Sequence, residues 1–301
     1  MTALLNIRRY RIGPSSYCRW GILPPMKVDV DATVLSNTRL SPDFNVLALE
    51  APAIAGQAEP GQFVMVKTAP GDSPLLRRPY SVFEILHDGE GRPVGVSVFS
   101  KRAGAGSQRL YDASPGQRFE CLGPLGRPFA LVDPPHAAWM VAGGVGLAPF
   151  ATLAAALGRR GVRPTLFYGA RAAGELFCLD LFERLDVRLV LATEDGSRGD
   201  HGRVTVPLER ALRTAPADLP VTVYACGPEA MLRAVADLAS AHGRPSQLAM
   251  ERLMGCGLGG CYSCVVRVRS PEGGSHYARA CLDGPVFRGD EIVWDETPSK
   301  T

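Results

Sequence analysis

The sequence predicts an antiparallel β-barrel, then a doubly wound parallel-sheet α/β domain, then a small cysteine-rich subdomain. Three observations carry this. Short β-rich runs between Gly/Pro turns fill the first part of the chain. Strand–helix alternation starts near Ala137. Of the eight cysteines in 301 residues, Cys256, Cys261, Cys264 and Cys281 crowd one end. The length suits about two ordinary domains. With 46 % apolar and 21 % charged residues, the chain can build sizeable cores, and wholesale disorder is excluded.

Composition also narrows function. No stretch reaches the roughly 18–20 consecutive apolar residues of a membrane helix. Met1–Trp20 lacks an apolar core ahead of a small-residue cleavage site. The expectation is a cytoplasmic chain with reduced thiols and no membrane partner. Net charge is only +3 and the arginines are scattered, so no nucleic-acid tract is expected.

Taken in order, residues 1–25 read as a disordered N-terminal tail that ends at Leu23-Pro24-Pro25. Residues 26–132 read as the barrel, with runs at Lys27–Leu35, Phe44–Glu50, Phe63–Thr68, Ser81–Leu86 and Gly95–Ser100. Gly123–Phe129 reads as a turn closing it. Residues 133–246 read as the α/β domain. It opens on the buried strand Trp139–Ala142 and an alanine-rich helix over Leu147–Leu157. Strands at Thr165–Tyr168, Arg188–Ala192 and Val221–Ala225 and a helix at Glu229–Ala241 follow. Residues 247–301 form the cysteine-rich subdomain.

Four segments carry chemistry. Arg78-Pro79-Tyr80-Ser81 opens a strand. An arginine neutralises a diphosphate, an aromatic ring covers a flavin and a hydroxyl bonds a ring nitrogen. Taken singly, the tetrapeptide is equally a strand start with an exposed arginine. Lys101–Leu110 strengthens it, because Gly104, Gly106 and Ser107 offer backbone amides to phosphate.

Val141–Pro149 joins a strand to a helix, and Gly143, Gly144 and Gly146 let a cofactor approach the backbone. It is not the G-x-G-x-x-G fingerprint. Cys226-Gly227-Pro228 ends a later strand, at the edge where open α/β sheets bind ligands. A thiol there would lie beside a nicotinamide, and the alternative is a helix-starting turn behind a buried cysteine. The acidic pair Glu194-Asp195 argues against a 2′-phosphate and so for NAD.

Cys256-x4-Cys261-x2-Cys264 with a distant Cys281 is the plant-type [2Fe–2S] spacing. The intervening glycines supply the positive φ that wrapping a cluster demands. Structural zinc is the alternative, but zinc ribbons carry two short Cys pairs and here there is one. Cys18, Cys121 and Cys178 read as ordinary thiols.

The order of these motifs resembles that of the ferredoxin–NADP reductase superfamily. Met250–Gly257 and Cys281–Phe287 look like the electron-transfer subunits of NAD-dependent (type B) dihydroorotate dehydrogenase. Related subunits of sulfide dehydrogenase and of NADH-dependent ferredoxin–NADP oxidoreductase share the layout. The resemblance covers about Lys27 to Trp294. It implies FAD at Arg78, Pro79, Tyr80, Ser81, Gly104, Gly106 and Ser107. It implies NAD at Gly143, Gly144, Gly146, Cys226, Gly227 and Pro228, and a [2Fe–2S] cluster on Cys256, Cys261, Cys264 and Cys281. It also implies an FMN-containing dihydroorotate dehydrogenase catalytic subunit as partner, two of each in a heterotetramer, with electrons passing from FMN through the cluster and FAD to NAD⁺ in pyrimidine biosynthesis. The resemblance gives this chain no residue that acts on dihydroorotate. One departure is Gly255, which separates Met254 from Cys256; the gap to Cys281 is also longer than usual.

Overall fold

The computed structural model describes residues 27–69, 71 and 74–294. The expected tail at 1–25 and Cys18 lie outside the described residues.

The first unit is a seven-stranded antiparallel sheet. Its elements are β1 (Val28–Arg39), β2 (Phe44–Glu50), α1 (Pro52–Ala55), β3 (Phe63–Lys67), β4 (Arg78–Ser81), β5 (Glu84–His87), β6 (Pro93–Lys101), α2 (Ala105–Tyr111) and β7 (Arg118–Leu125). The strand order is β4-β3-β7-β1-β2-β6-β5. The two edge strands are consecutive in the chain, joined only by Val82-Phe83. Val82 N donates to Gln62 O and Phe83 N to Ser97 O, so these two residues bridge the edges and curl the sheet into a barrel. The single strand expected at Ser81–Leu86 is therefore two strands, because the chain changes partners midway from β3 to β6. Gly123 and Pro124, expected in a turn, lie inside β7.

One polar cluster ties α2 to the barrel. Asn37 Nδ2 donates to the carbonyls of Leu110, Tyr111 and Ala113, and Asn37 Oδ1 accepts from Asn45 Nδ2. The Ser100 hydroxyl donates to Asn45 Oδ1. These side chains take up carbonyls left open at the helix C-terminus.

The second unit comprises β8 (Ala137–Gly143), α3 (Phe150–Arg159), β9 (Thr165–Ala170), α4 (Leu179–Arg184), β10 (Arg188–Thr193), β11 (Asp200–His201), α5 (Thr205–Thr214), β12 (Val221–Cys226), α6 (Glu229–Ala241) and β13 (Ser246–Ala249). The expected helix at Leu147–Leu157 is a 3₁₀ turn over Gly144–Leu147 followed by α3, with Pro149 as its N-cap. The strands are parallel in the order β11-β10-β9-β8-β12-β13. Successive residues of β8 and β12 feed opposite faces. Val141 and Val223 join the apolar cluster with α5 and α6, while Met140 and Tyr224 join the one with α3 and α4. A strand buried on both faces reads as near-continuous apolar sequence, as β12 does apart from Thr222.

The last described elements are β14 (Val265–Arg269), β15 (Ser275–Arg279) and β16 (Val286–Arg288). β14 and β15 form a hairpin. β16 returns to the parallel sheet and pairs antiparallel with β13. Among the described residues no helix is long and apolar enough to cross a membrane.

Replacing Asn37 by Ala removes the side-chain donor to the Tyr111 and Ala113 carbonyls and one of the donors to Leu110 O, which keeps Ala113 N and Asn45 Nδ2. The expected loss is about 2 kcal/mol of stability, read as a lower urea midpoint at unchanged slope.

Candidate functional site

β4 places Arg78, Pro79, Tyr80 and Ser81 beside β3, with Val66 opposite Arg78, Met65 opposite Pro79 and Val64 opposite Tyr80. Gly106, on α2, packs directly against this strand. A methyl group on it would lie 3.3 Å from Arg78 Cγ and 3.4 Å from Thr68 Oγ1. The fold thus brings the two flavin-type segments together. Arg78 Nη1 donates to Leu76 O at 2.9 Å. Burial pushes the Tyr80 phenol up to about 12, against the pull of the Arg78 charge, so the ring is an uncharged apolar cover. Ser107 is used within its own loop, where its hydroxyl accepts from Ala103 N and Gly104 N and donates to Gly104 O. Thr68, just beyond β3, is 2 % exposed, and among the described residues its Oγ1 has no hydrogen-bond partner. A buried hydroxyl without a partner beside an arginine and a close-packed glycine fits an anionic cofactor group better than a sealed core.

A cavity of about 610 Å³ opens at the carboxyl ends of the parallel strands. It lies where the strand order reverses, between β8 and β12. Gly143, Gly144, Gly227 and Pro228 line it. Gly144, at φ +55°, has open space where a side chain would be. Gly146 lies beneath, since its Cβ would stand 2.1 Å from Cys226 O. That contact permits only glycine and fixes the Cys226-Gly227 peptide against the β8–α3 turn. Cys226 is buried, and burial together with the nearby Glu251 carboxylate holds its thiol well above the usual range. Glu251 lines the same cavity; the surrounding protein atoms raise its carboxyl although its rim remains open to water. Of the acidic pair, Glu194 faces the cavity, whereas Asp195 bonds Ser197 N and Oγ. Phe44 and Lys101, from the barrel, complete the wall. Sequence reading missed Phe44, Lys101 and Glu251 as cavity residues. The first two are cross-strand partners whose meeting with the second unit has no local signature.

The four C-terminal cysteines converge in two pairs. Cys261 bonds toward Cys256, and Cys281 bonds toward Cys264. Cys264 and Cys281 are buried, Cys256 is half-buried and Cys261 is exposed. Leu258 N donates to Cys256 Sγ, while Ser263 Oγ accepts from Gly255 N and contacts Cys261 Sγ at 3.1 Å. These contacts hold the Cys261 thiol down at about 6, whereas burial and the Cys264 thiol push Cys281 up to about 12. Among the described residues no three His, Cys, Asp or Glu side chains close around a single-ion point. Two facing thiol pairs fit a two-iron group carried by four cysteines. Gly257, at φ +71°, lets this loop rest on the barrel; its Cβ would stand 2.6 Å from Met65 Cγ.

The remaining thiols are plain. Burial pushes Cys121 and Cys178 each up to about 12.

Comparison with known proteins agrees with this arrangement. Residues 251–293 match the family model described as the iron-sulfur cluster binding domain of dihydroorotate dehydrogenase B, and residues 140–237 match the oxidoreductase NAD-binding domain. The chain is 35 % identical over 266 residues to the dihydroorotate dehydrogenase B (NAD(+)) electron transfer subunit of Desulforamulus reducens, covering 88 % of this chain and 98 % of that protein. It is 38 % identical to the same subunit of Bacillus caldolyticus, covering 87 % and 97 %. Among solved structures it resembles an NADH-dependent reduced ferredoxin-NADP oxidoreductase, with TM-score 0.76 and 27 % identity over 88 % of this chain and 91 % of that one. The ferredoxin reductase of carbazole 1,9a-dioxygenase shares the fold, with TM-score 0.62 at 21 % identity, covering 74 % of this chain and 68 % of that one.

Gly146→Ala drives a methyl into the Cys226-Gly227 peptide. Its expected cost is roughly 1–3 kcal/mol of stability together with weaker NADH binding, read by thermal unfolding and NADH titration.

Proposed function

The chain belongs to the family of dihydroorotate dehydrogenase B (NAD(+)) electron transfer subunits, and on that premise we propose that it carries electrons from the FMN of a dihydroorotate dehydrogenase catalytic subunit, by way of a [2Fe–2S] cluster and FAD, to NAD⁺. One observation supports this reading most. A single short segment reaches all three candidate sites. Glu251 lines the strand-end cavity, and Gly257, six residues on, rests on Met65. Met65 is the ladder partner of Pro79 in the flavin-type strand, and Cys256 begins the cysteine set beside it.

When bound, the nicotinamide supplies a two-electron hydride couple, the cluster carries one electron at a time, and the flavin exchanges with both, taking electrons singly from the cluster and passing them on in pairs. The chain's own residues position these groups. Arg78 would neutralise the flavin diphosphate, Tyr80 would cover the ring system, and Ser81 would bond it. The Gly143–Gly146 turn would admit the dinucleotide to the backbone, with Cys226 and Glu251 at the reacting end. Glu194 would face the adenosine ribose, where an acidic side chain disfavours a 2′-phosphate. Cys256 and Cys261 would hold one iron, and Cys264 and Cys281 the other. The amide of Leu258 would stabilise charge on sulfur.

The catalytic subunit performs substrate oxidation, and we propose two copies of each subunit. Leu253, Leu258, Tyr262 and Tyr277 are exposed apolar side chains on the cysteine-bearing segment, suited to meet that partner.

Anaerobically purified protein is expected to show flavin bands and broad cluster absorption, with about two irons per chain. Cys281→Ala should lose iron and keep flavin. A colourless, iron-free wild type would refute the cofactor assignment. Co-expression with an FMN-dependent dihydroorotate dehydrogenase should give dihydroorotate-dependent NADH formation. NADH-dependent reduction of ferredoxin or NADP⁺ without that activity would instead point to the partner of the ferredoxin-NADP oxidoreductase type.

A further inference from the structure

We propose that Thr68 is a flavin-binding residue, its hydroxyl donating a hydrogen bond to the diphosphate of the bound nucleotide; this rests on the flavin reading above. Thr68 lies at the junction of three elements. It follows β3 directly, two residues past Val66, which pairs with Arg78. Its Oγ1 faces the same point on Gly106 that Arg78 Cγ faces, at 3.4 and 3.3 Å from the position of an added methyl group.

A threonine hydroxyl is one donor and two acceptor sites. At 2 % exposure it has left water, yet among the described residues it has no partner. Other buried polar side chains of the barrel are satisfied in place, such as Ser100, which donates to Asn45, and Asn45, which donates to Asn37. A lone unsatisfied buried hydroxyl is costly. That cost is recovered if an acceptor arrives at that point.

Arg78 supplies the charge. Its guanidinium donates to Leu76 O, while its Cγ and Thr68 Oγ1 both border the Cβ position of Gly106. Turned from Leu76 O, the guanidinium would meet an anion arriving at that point, and the cation and the Thr68 hydroxyl would hold it together. A hydroxyl bonded to a charged oxygen is stronger than a neutral pair. That favours the diphosphate over the uncharged parts of the cofactor.

This gives opposite signs for two properties of one variant. Thr68→Val keeps the shape and removes the hydroxyl. The apoprotein should melt higher by roughly 2 °C or more, because an unsatisfied buried group is gone. Its FAD affinity, measured by quenching of flavin fluorescence on titration into apoprotein, should fall roughly ten- to a hundredfold. Thr68→Ser should retain wild-type affinity within about threefold. Thr68→Ala should lose affinity as valine does, and it serves if the valine variant does not fold. A purely structural threonine would lower stability and affinity together. Wild-type binding by both Thr68→Val and Thr68→Ala overturns the proposal. Failure of the wild-type apoprotein to take up FAD overturns the flavin reading itself, and this proposal with it.

Discussion

Everything in this molecule depends on the backbone of one short return, Gly284–Arg288. Gly284 O accepts from Arg127 N at the end of the barrel. Pro285 O accepts from Met250 N, at the start of the cysteine-bearing segment. Val286–Arg288 then pairs with β13 of the parallel sheet. Three structural units are joined by ladder-type bonds within five residues. Close packing enforces the joint. A Cβ on Gly126 would lie 2.5 Å from Pro285 Cδ, and one on Gly284 would lie 2.3 Å from the Phe287 ring. The apolar cluster crosses the same seam, with Phe63, Met65 and Leu125 of the barrel packed alongside Cys264, Cys281 and Phe287. Electron transfer falls steeply with separation, so a chain that moves electrons needs its carriers on fixed ground. This seam supplies it.

Around that seam the polar groups divide by task. The cavity at the strand ends is built from glycines that expose backbone and from a few side chains, among them Glu251 and Glu194. Its neighbour Cys226 is a neutral thiol, kept so by burial and by the Glu251 carboxylate. The cysteine loop is the reverse case. Its outer sulfur, Cys261, is surrounded by hydrogen-bond donors that favour thiolate, while its inner sulfur, Cys281, lies where an unbound charge is costly. Binding iron would relieve the inner site more than the outer one.

The motifs were legible because each is local. The cysteine spacing, the Arg78–Ser81 tetrapeptide, the glycine turn after β8 and Cys226-Gly227-Pro228 all signal through neighbours in sequence. The strand–helix alternation was legible for the same reason. What was not legible depends on distant partners. Ser81–Leu86 is uniformly β-prone, and nothing in it says that the chain leaves one edge of the barrel and joins the other at Val82-Phe83. β13 and β16 are strands of four and three residues, too short to show a period, and exist because β13 pairs with β12 and β16 with β13. Phe44 and Lys101 reach the cavity only because the barrel docks against α3, where Thr152 N donates to Phe83 O. Thr68 is silent in sequence, since a single threonine after a strand carries no pattern; only its unpaired hydroxyl marks it.

The burial of Cys281 and the placement of β16 just beyond it tie the proposed iron site to the edge of the parallel sheet. The last proposed ligand and the strand that caps β13 are carried on one short stretch, so cluster binding would favour the closed C-terminal end. Without that pairing β13 would be the unprotected edge of the parallel sheet.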